Sequence, residues 1–372
     1  MSELIDARNH GNFRWHLLAT VSAMSLAVAI SAKAEETGKP LVWIELGGQL
    51  ERITGREDPF LPPVTLQVPT PQPFFPISPT EAQKPSIYSY GFEGKVSLRP
   101  RSSQWSFTAA VRYGRSSNNK HIHQQSNVST RYPNGNYPKR QPNPFNTLSE
   151  AQFADFKVKN HESHMVVDFM AGRDVGIGSI SSTANFGVRI ASFSSKSQTS
   201  MTARPHVDFY VWHGGRFYFA TPLFTDYTAT ATNNRSFRGI GPALSWSGDV
   251  PIVGNEDGSI TADWGIDGAL LFGRQKARGS HATSAFFRSG LFSNPSTVYD
   301  NPPLQHDRAR SVIVPNVGFL AGLSFRYPGT KISFGYRADM FFGAMDMGID
   351  QRDIKDRVFH GPYATISLGL GG

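Results

Sequence analysis

Residues 88–99 read YSYGFEGKVSLR. Tyrosine, tyrosine, phenylalanine, glycine, valine and leucine fall on one parity, and serine, glycine, glutamate, lysine, serine and arginine on the other. Successive side chains of a strand point to opposite sides, so this is a ribbon with one apolar and one polar face. In a soluble sandwich the apolar face would meet a protein core. In a membrane barrel it would meet lipid, with the polar face turned to a lumen.

The chain has 372 residues and no cysteine. Residues 17–30, LLATVSAMSLAVAI, form a 14-residue apolar run preceded by Arg8 and Arg14 and followed by Ala32-Lys33-Ala34. A basic segment, a run too short to span a bilayer and a small-x-small site predict a secretory signal over 1–34, with a mature chain over 35–372. No later run reaches the ~18 apolar residues of a membrane helix, so any crossing must be made by strands. Without cysteine there are no disulfides and no thiolate metal sites.

The alternation of 88–99 recurs in ten segments, near 42–51, 88–99, 105–115, 162–175, 184–194, 237–250, 259–275, 312–327, 331–342 and 359–370. Most are longer than the ~5–6 residues of soluble strands and reach the ~9–11 that a tilted membrane strand needs. The connections alternate without a break: 52–87, 116–161, 195–236, 276–311 and 343–358 are long, and those between them are short. Outer-membrane barrels have short periplasmic turns and long outer loops, whereas a sandwich has no reason to place every long connection on one side. Charges on the apolar parity, Arg115, Arg173, Arg238 and Arg274, lie near segment ends, where an arginine reaches headgroups. The predicted fold is all-β, a single antiparallel transmembrane barrel of about ten strands. It becomes twelve if the apparent hairpin at 206–221 joins the wall. Nine prolines over 59–85 predict an extended, irregular first outer loop.

Several patches resemble the pore-forming outer-membrane proteins typified by the Legionella major outer membrane protein. They are WIELGGQ (43–49), HMVVDFMAGRDVGIG (164–178), FGVRIASF (186–193), FRGIGPALSW (237–246) and HGPYATISLGL (360–370). The resemblance implies a single-chain barrel that forms a pore, and carries no functional-residue motif with it.

Other motifs have plainer readings. Gly172-x-x-x-Gly176-x-Gly178 lacks the helix of a dinucleotide loop, and the glycines are expected to serve a turn. His161 and His164 face opposite ways on a strand, which rules against a shared metal. His121-Ile122-His123 is expected in a solvated polar loop rather than at a metal. Asp346, Asp350, Asp353 and Asp356 recur at helical spacing among Arg352, Lys355 and Arg357, which predicts a short salt-bridged helix in preference to a calcium site. No G-x-S-x-G elbow occurs, so the chain is not read as an enzyme, and no cofactor or metal is expected.

On the polar parity, Glu45, Glu93, Lys95, Arg99, Arg112, Asp168, Asp174, Arg189, Asp263, Asp267, Arg326, Arg337 and Asp339 are expected to line the lumen and pair across strands. Inward glycines (187, 239, 241, 265, 318, 322, 335 and 361) are expected to free volume there. The function read from these features is a narrow pore for passive diffusion of ions and small hydrophilic solutes. The alternative is a structural or adhesive barrel with a closed lumen. Basic residues exceed acidic ones in the outer connections while the barrel and turns are nearly neutral. Lys139, Arg140, Arg308 and Arg310 are therefore expected to contact lipopolysaccharide phosphates. The remaining expected partners are outer-membrane lipid and the barrel-insertion machinery of the envelope, with no nucleic acid.

Overall fold

Among the described residues the two-residue alternation becomes twelve strands: β1 (Val42–Thr54), β2 (Ser89–Leu98), β3 (Trp105–Ser129), β4 (Ser149–Asp174), β5 (Ser181–Arg204), β6 (Phe209–His213), β7 (Arg216–Ala220), β8 (Phe224–Gly254), β9 (Ser259–Arg288), β10 (Ser296–Tyr327), β11 (Thr330–Asp346) and β12 (Ile354–Leu370). The computed structural model describes residues 42–54, 89–100, 103–129, 149–176, 181–204, 209–213, 216–220, 224–255, 257–288, 296–348 and 351–370. The signal segment 1–34, the proline loop 59–85, Lys139, Arg140 and Asp350 lie outside the described residues.

Ten strands close an antiparallel barrel in the order β1-β12-β11-β10-β9-β8-β5-β4-β3-β2, with β1 also paired to β2. The hairpin near 206–221 does not join the wall: β6 and β7 pair only with each other. Val42 pairs with Leu98 on one side and Leu370 on the other, so both barrel ends sit at the end of the short turns. Turn chemistry fixes that end. Gly329, at a positive φ of 72°, reverses the chain between Tyr327 and Thr330, which pair directly. Asn255 Oδ1 accepts the backbone N–H of Asp257 (3.0 Å) and of Gly258 (3.1 Å) between β8 and β9.

Side chains of one parity face outward and form an apolar band. Phe92 and Leu244 are each 67% exposed, and Phe107, Phe169, Phe186, Phe272, Phe319 and Phe334 are exposed with them. A soluble protein would not leave such an area open around its circumference, whereas a bilayer covers it. Near the short turns Trp105, Trp246, Trp264 and Tyr327 mark the interface, with Trp246 edge-on to Trp264 at 4.8 Å. Arg173, on the apolar parity, reaches Gln104 there (2.8 Å).

The strands run well past the band at the other end. Much of 116–161, 195–236 and 276–311, expected as loops, is strand: β3 and β4 stay paired to Ser129 and Ser149, and β5 and β8 to Ala203 and Tyr227. Stretches such as TATATNN (228–234) lack strong apolar contrast and read as loop, but serine, threonine and alanine in alternation suit a ladder that a neighbouring strand completes. Among the described residues of 343–358 the expected helix is also absent. Gly343, at φ 62°, breaks the β11 ladder, whose register against β12 slips between Phe341 and Met345, and the following residues turn into the barrel mouth. Asp346 is buried rather than solvated, which removes the amphipathic face such a helix would need.

Candidate functional site

The lumen is built from the inward parity of the ten wall strands, and its contents change along the axis. Nearest the short turns it holds small polar groups and peripheral pairs. Glu45 lies 3.6 Å from Lys95 and accepts a hydrogen bond from Ser367 (2.9 Å). Arg99 bonds Asp174 (2.9 Å), Arg326 lies 3.2 Å from Asp249, and Lys331 lies 2.7 Å from Asp263. The Ser324 hydroxyl, fully buried, donates to Asp263 and meets Ser333 at 2.7 Å.

Further in, three arginines meet four carboxylates. Arg189 grips Asp168 through Nε (2.7 Å) and Nη2 (3.0 Å), and its Nη1 reaches Asp267 and Asn316 across the lumen. Arg112 bonds Asp339 (2.6 Å) and lies 3.6 Å from Asp168. Arg337 bonds Glu93 and lies over the Tyr363 ring at 5.4 Å. Two-point contact to one carboxylate fixes the plane of the guanidinium as well as its position. These partners come from β2, β3, β4, β5, β9, β10 and β11, so the network braces the wall from within.

Toward the mouth the chemistry becomes apolar. Phe193 stacks on Phe237 (5.7 Å between centroids), meets Phe341 edge-on (4.6 Å) and lies 5.5 Å from Phe359. Ile53, Val166, Ala191, Leu271 and Val314 complete a buried layer. Ala344, Met345 and Met347, from the segment after Gly343, pack onto it. Beside the layer, His164 Nε2 lies 3.3 Å from Glu51 Oε1, and the imidazole lies against Phe359 (4.1 Å).

The segment after Gly343 is tied down from three strands. Gln275 donates to the Gly343 carbonyl (2.6 Å), Arg235 to the Met347 carbonyl (2.7 Å), and Arg308 to the Gly348 carbonyl (2.6 Å). Arg308 also bonds the Asp346 carboxylate (3.1 Å), which accepts the backbone N–H of Gly348 and of Asp353 (3.1 Å each). Arg357, below the strap, lies 2.7 Å from Glu162. We refer to residues 343–348 as the strap.

All thirteen charged residues assigned to the lumen from the sequence sit on the inward parity, and the structure joins each of them to at least one other or to a wall partner named above. The exposure expected of them does differ: Arg189 is 2% exposed and Asp168 8%, so they are packed rather than bathed. The inward glycines do not leave open space either. A Cβ at Gly318 would fall 2.3 Å from Asp267 Oδ2, one at Gly335 2.7 Å from the Tyr363 ring, and one at Gly239 2.5 Å from the Phe237 ring. These glycines make room for neighbouring side chains. Arg308 is turned into the mouth to hold the strap, which removes it from lipid contact; Arg310 lies beside Gln275 in the ladder and is exposed. His121 Nε2 and His123 Nδ1 both contact Asp155 Oδ1 (2.7 and 3.0 Å) on paired strands rather than in a loop. Their hydrogen bonds hold the Asp155 carboxyl below its ordinary range. Among the described residues no group of three histidine, aspartate or glutamate side chains could hold a metal ion.

The sequence reading did not assign Glu51, Glu162, His164, Arg235, Gln275 and Arg357, all inward, to the lumen, nor the four phenylalanines of the apolar layer. The signal was present. Phe193, Phe237, Phe341 and Phe359 each fall on the polar parity of their strand, near the same end.

The family model described as Legionella pneumophila major outer membrane protein precursor matches residues 91–369. No curated protein matches the chain. Among solved structures, a chain titled "TodX deltaS2S3 mutant monoaromatic hydrocarbon channel" is similar at 9% identity over 91% of this chain and 91% of that one, with a TM-score of 0.20. A likeness at that level carries no argument about this lumen. The match over most of the chain, from β2 to the last residues of β12, gives the identification: the protein belongs to the family of the Legionella pneumophila major outer membrane protein, and is an outer-membrane β-barrel.

Proposed function

We propose that the barrel is a gated pore for ions and small hydrophilic solutes, shut in the conformation described. The observation that carries this reading is the order of the lumen: a polar and charged interior over the half nearer the short turns, then one aromatic layer. That layer is held in part by a strap that is not itself paired into the wall along its whole length. Hydrophobic constrictions gate by excluding water, and a single layer can be cleared by moving a few side chains. A barrel meant only as a solid post gains nothing from charged groups in its interior, because apolar residues of equal volume are often as stable or more so. Conduction then follows displacement of residues 343–348 and rotation of Phe341 and Phe359. The proposed solutes are small, since ten strands enclose little free area.

A second reading, the closed structural barrel, is favoured by one observation, the burial of Arg189 in a two-point grip on Asp168. One experiment separates the two. Purified protein whose folded state is verified by heat-modifiable migration is placed in a planar bilayer beside the variant R235Q/R308Q, which loses two ties of the strap. A pore gives rare small steps in the wild type and a clear rise in open time in the variant. A folded barrel that is silent in both forms leaves the structural role.

A further inference from the structure

Above the apolar band, the outward faces of β3, β4, β5, β8 and β9 change character abruptly. On β3 the outward residue after Tyr113 is Arg115. On β4, Met165 is followed by Ser163, His161 and Lys159; on β5, Ile190 by Ser192, Ser194 and Lys196. On β8, Ile240 is followed by Arg238; on β9, Phe272 by Arg274, Lys276 and Arg278. All these basic side chains are exposed.

The register gathers them into rows across the sheet. Directly paired residues give Tyr113, Met165, Ser192, Arg238, Arg274 as the lowest row. The next reads Arg115, Ser163, Ser194, Ser236, Lys276, and the one above it Ser117, His161, Lys196, Asn234, Arg278. Arg238 is thus opposite Arg274. His161 is likewise opposite Lys196. Like charges directly opposite on one face destabilise a sheet, so the Arg238–Arg274 pair opposes folding unless an anion lies between its two members. Carboxylates do not supply it. Among the described outward residues of β3, β4, β5, β8, β9 and β10 with described side chains, the acids are Asp155 and Asp307. Asp155 is taken up by His121 and His123, and Asp307 by Arg278 (2.7 Å). The rows end at β10, which presents Ser311 opposite Arg274 and Ala309 opposite Lys276.

We propose that this face is a docking surface for the phosphate groups of the phosphorylated glycolipid of the outer leaflet, with its acyl chains lying on the apolar band below. Arginine forks and lysine ammoniums interleaved with serine hydroxyls match phosphate oxygens, and the rows stand where a lipid's polar head meets its chains. A free soluble phosphate would lack the second half of the contact. The inference is independent of whether the lumen conducts. It also replaces Arg308 as a lipid contact with residues of a different face.

The test uses the full-length folded barrel in detergent micelles. Three lipid probes are compared by native mass spectrometry: bis-phosphorylated lipid A, the same lipid with both phosphates removed, and phosphatidylglycerol. The protein is expected to retain the bis-phosphorylated lipid, to bind the dephosphorylated form at least about tenfold more weakly, and to bind phosphatidylglycerol weakly. The variant R238S/R274S is expected to lose about tenfold in affinity for bis-phosphorylated lipid A without losing heat-modifiable migration, because it also removes a repulsion. Equal binding of the phosphorylated and dephosphorylated lipids by the wild type would overturn the proposal without recourse to any variant. Retention of phosphatidylglycerol as strong as that of lipid A, or undiminished lipid A binding by a folded R238S/R274S, would overturn it as well.

Discussion

Within the lumen, Arg189 meets Asp168, Asp267 and Asn316, while nearer the mouth Phe193 meets Phe237, Phe341 and Phe359. Both groups reach across the lumen, but by different means. The ionic group is directional: each guanidinium fork fixes particular oxygens on particular strands, so it sets the wall's register and spacing. The aromatic group is held by shape and the exclusion of water, and part of its cover comes from Ala344, Met345 and Met347 of the strap. Damage to the first is therefore expected to appear as lost stability, and damage to the second as a leak.

The largest effect is expected from Arg189. Replacing it by leucine leaves Asp168 and Asp267 without the cation they share, and breaking one side of a buried ion pair costs about 3–5 kcal/mol. The midpoint of heat-modifiable migration, or of urea unfolding in micelles, should fall sharply. A drop no larger than that of a surface substitution would show that the ionic group does not brace the wall.

A smaller loss is expected from Gly318→Ala. The new methyl would press on the Asp267 carboxylate, and overpacking of this kind costs about 1–3 kcal/mol. Gly268, on the outward parity of β9, is the control: its nearest atom is Asn316 O at 3.4 Å, so Gly268→Ala should be close to neutral. Equal effects at the two sites would contradict the assignment of inward glycines as room for packed side chains.

The smallest effect belongs outside the lumen, where His121 and His123 clasp Asp155 between the β3 and β4 extensions. Hydrogen bonds from the two imidazoles lower the Asp155 pKa, so in the folded state the carboxylate is favoured over its ordinary form. A depressed acid contributes stability above its unfolded value, near pH ~4, and that contribution disappears as pH falls through the lower folded value. Protease cutting in the β3–β4 hairpin should thus rise on acidification below about pH 4 in the wild type, and Asp155→Asn should show at neutral pH whatever difference the clasp makes. Cutting independent of pH in both would remove the clasp from the account.

The ten wall strands were legible because parity along each strand is a local property: Phe186, Val188 and Ile190 announce their face without reference to any neighbour. What was not legible depends on meetings between strands. Phe193 pairs directly with Phe237, but nothing local tells that two phenylalanines on the polar parity of β5 and β8 will share one layer. The inward glycines were misread for the same reason. A glycine at 318 implies volume, and only the register shows that Asp267 fills it. The outer extensions failed in the opposite way, since alternating serine, threonine and alanine give little periodic contrast and become strand only through pairing. The aspartates at 346, 350, 353 and 356 had helical spacing, but Gly343 and the ties from Gln275, Arg235 and Arg308 draw that segment into the mouth.

The claim that the aromatic layer is the barrier is tested most directly by single-channel recording of Phe193→Ser/Phe359→Ser. Both positions keep a side chain on the inward parity, but the layer becomes wettable while the ionic group is untouched. The account predicts a folded, heat-modifiable barrel with frequent or sustained small conductance steps where the wild type is mostly shut. A folded double variant that remains as silent as the wild type would place the block elsewhere, in the ionic group itself, and would contradict the account.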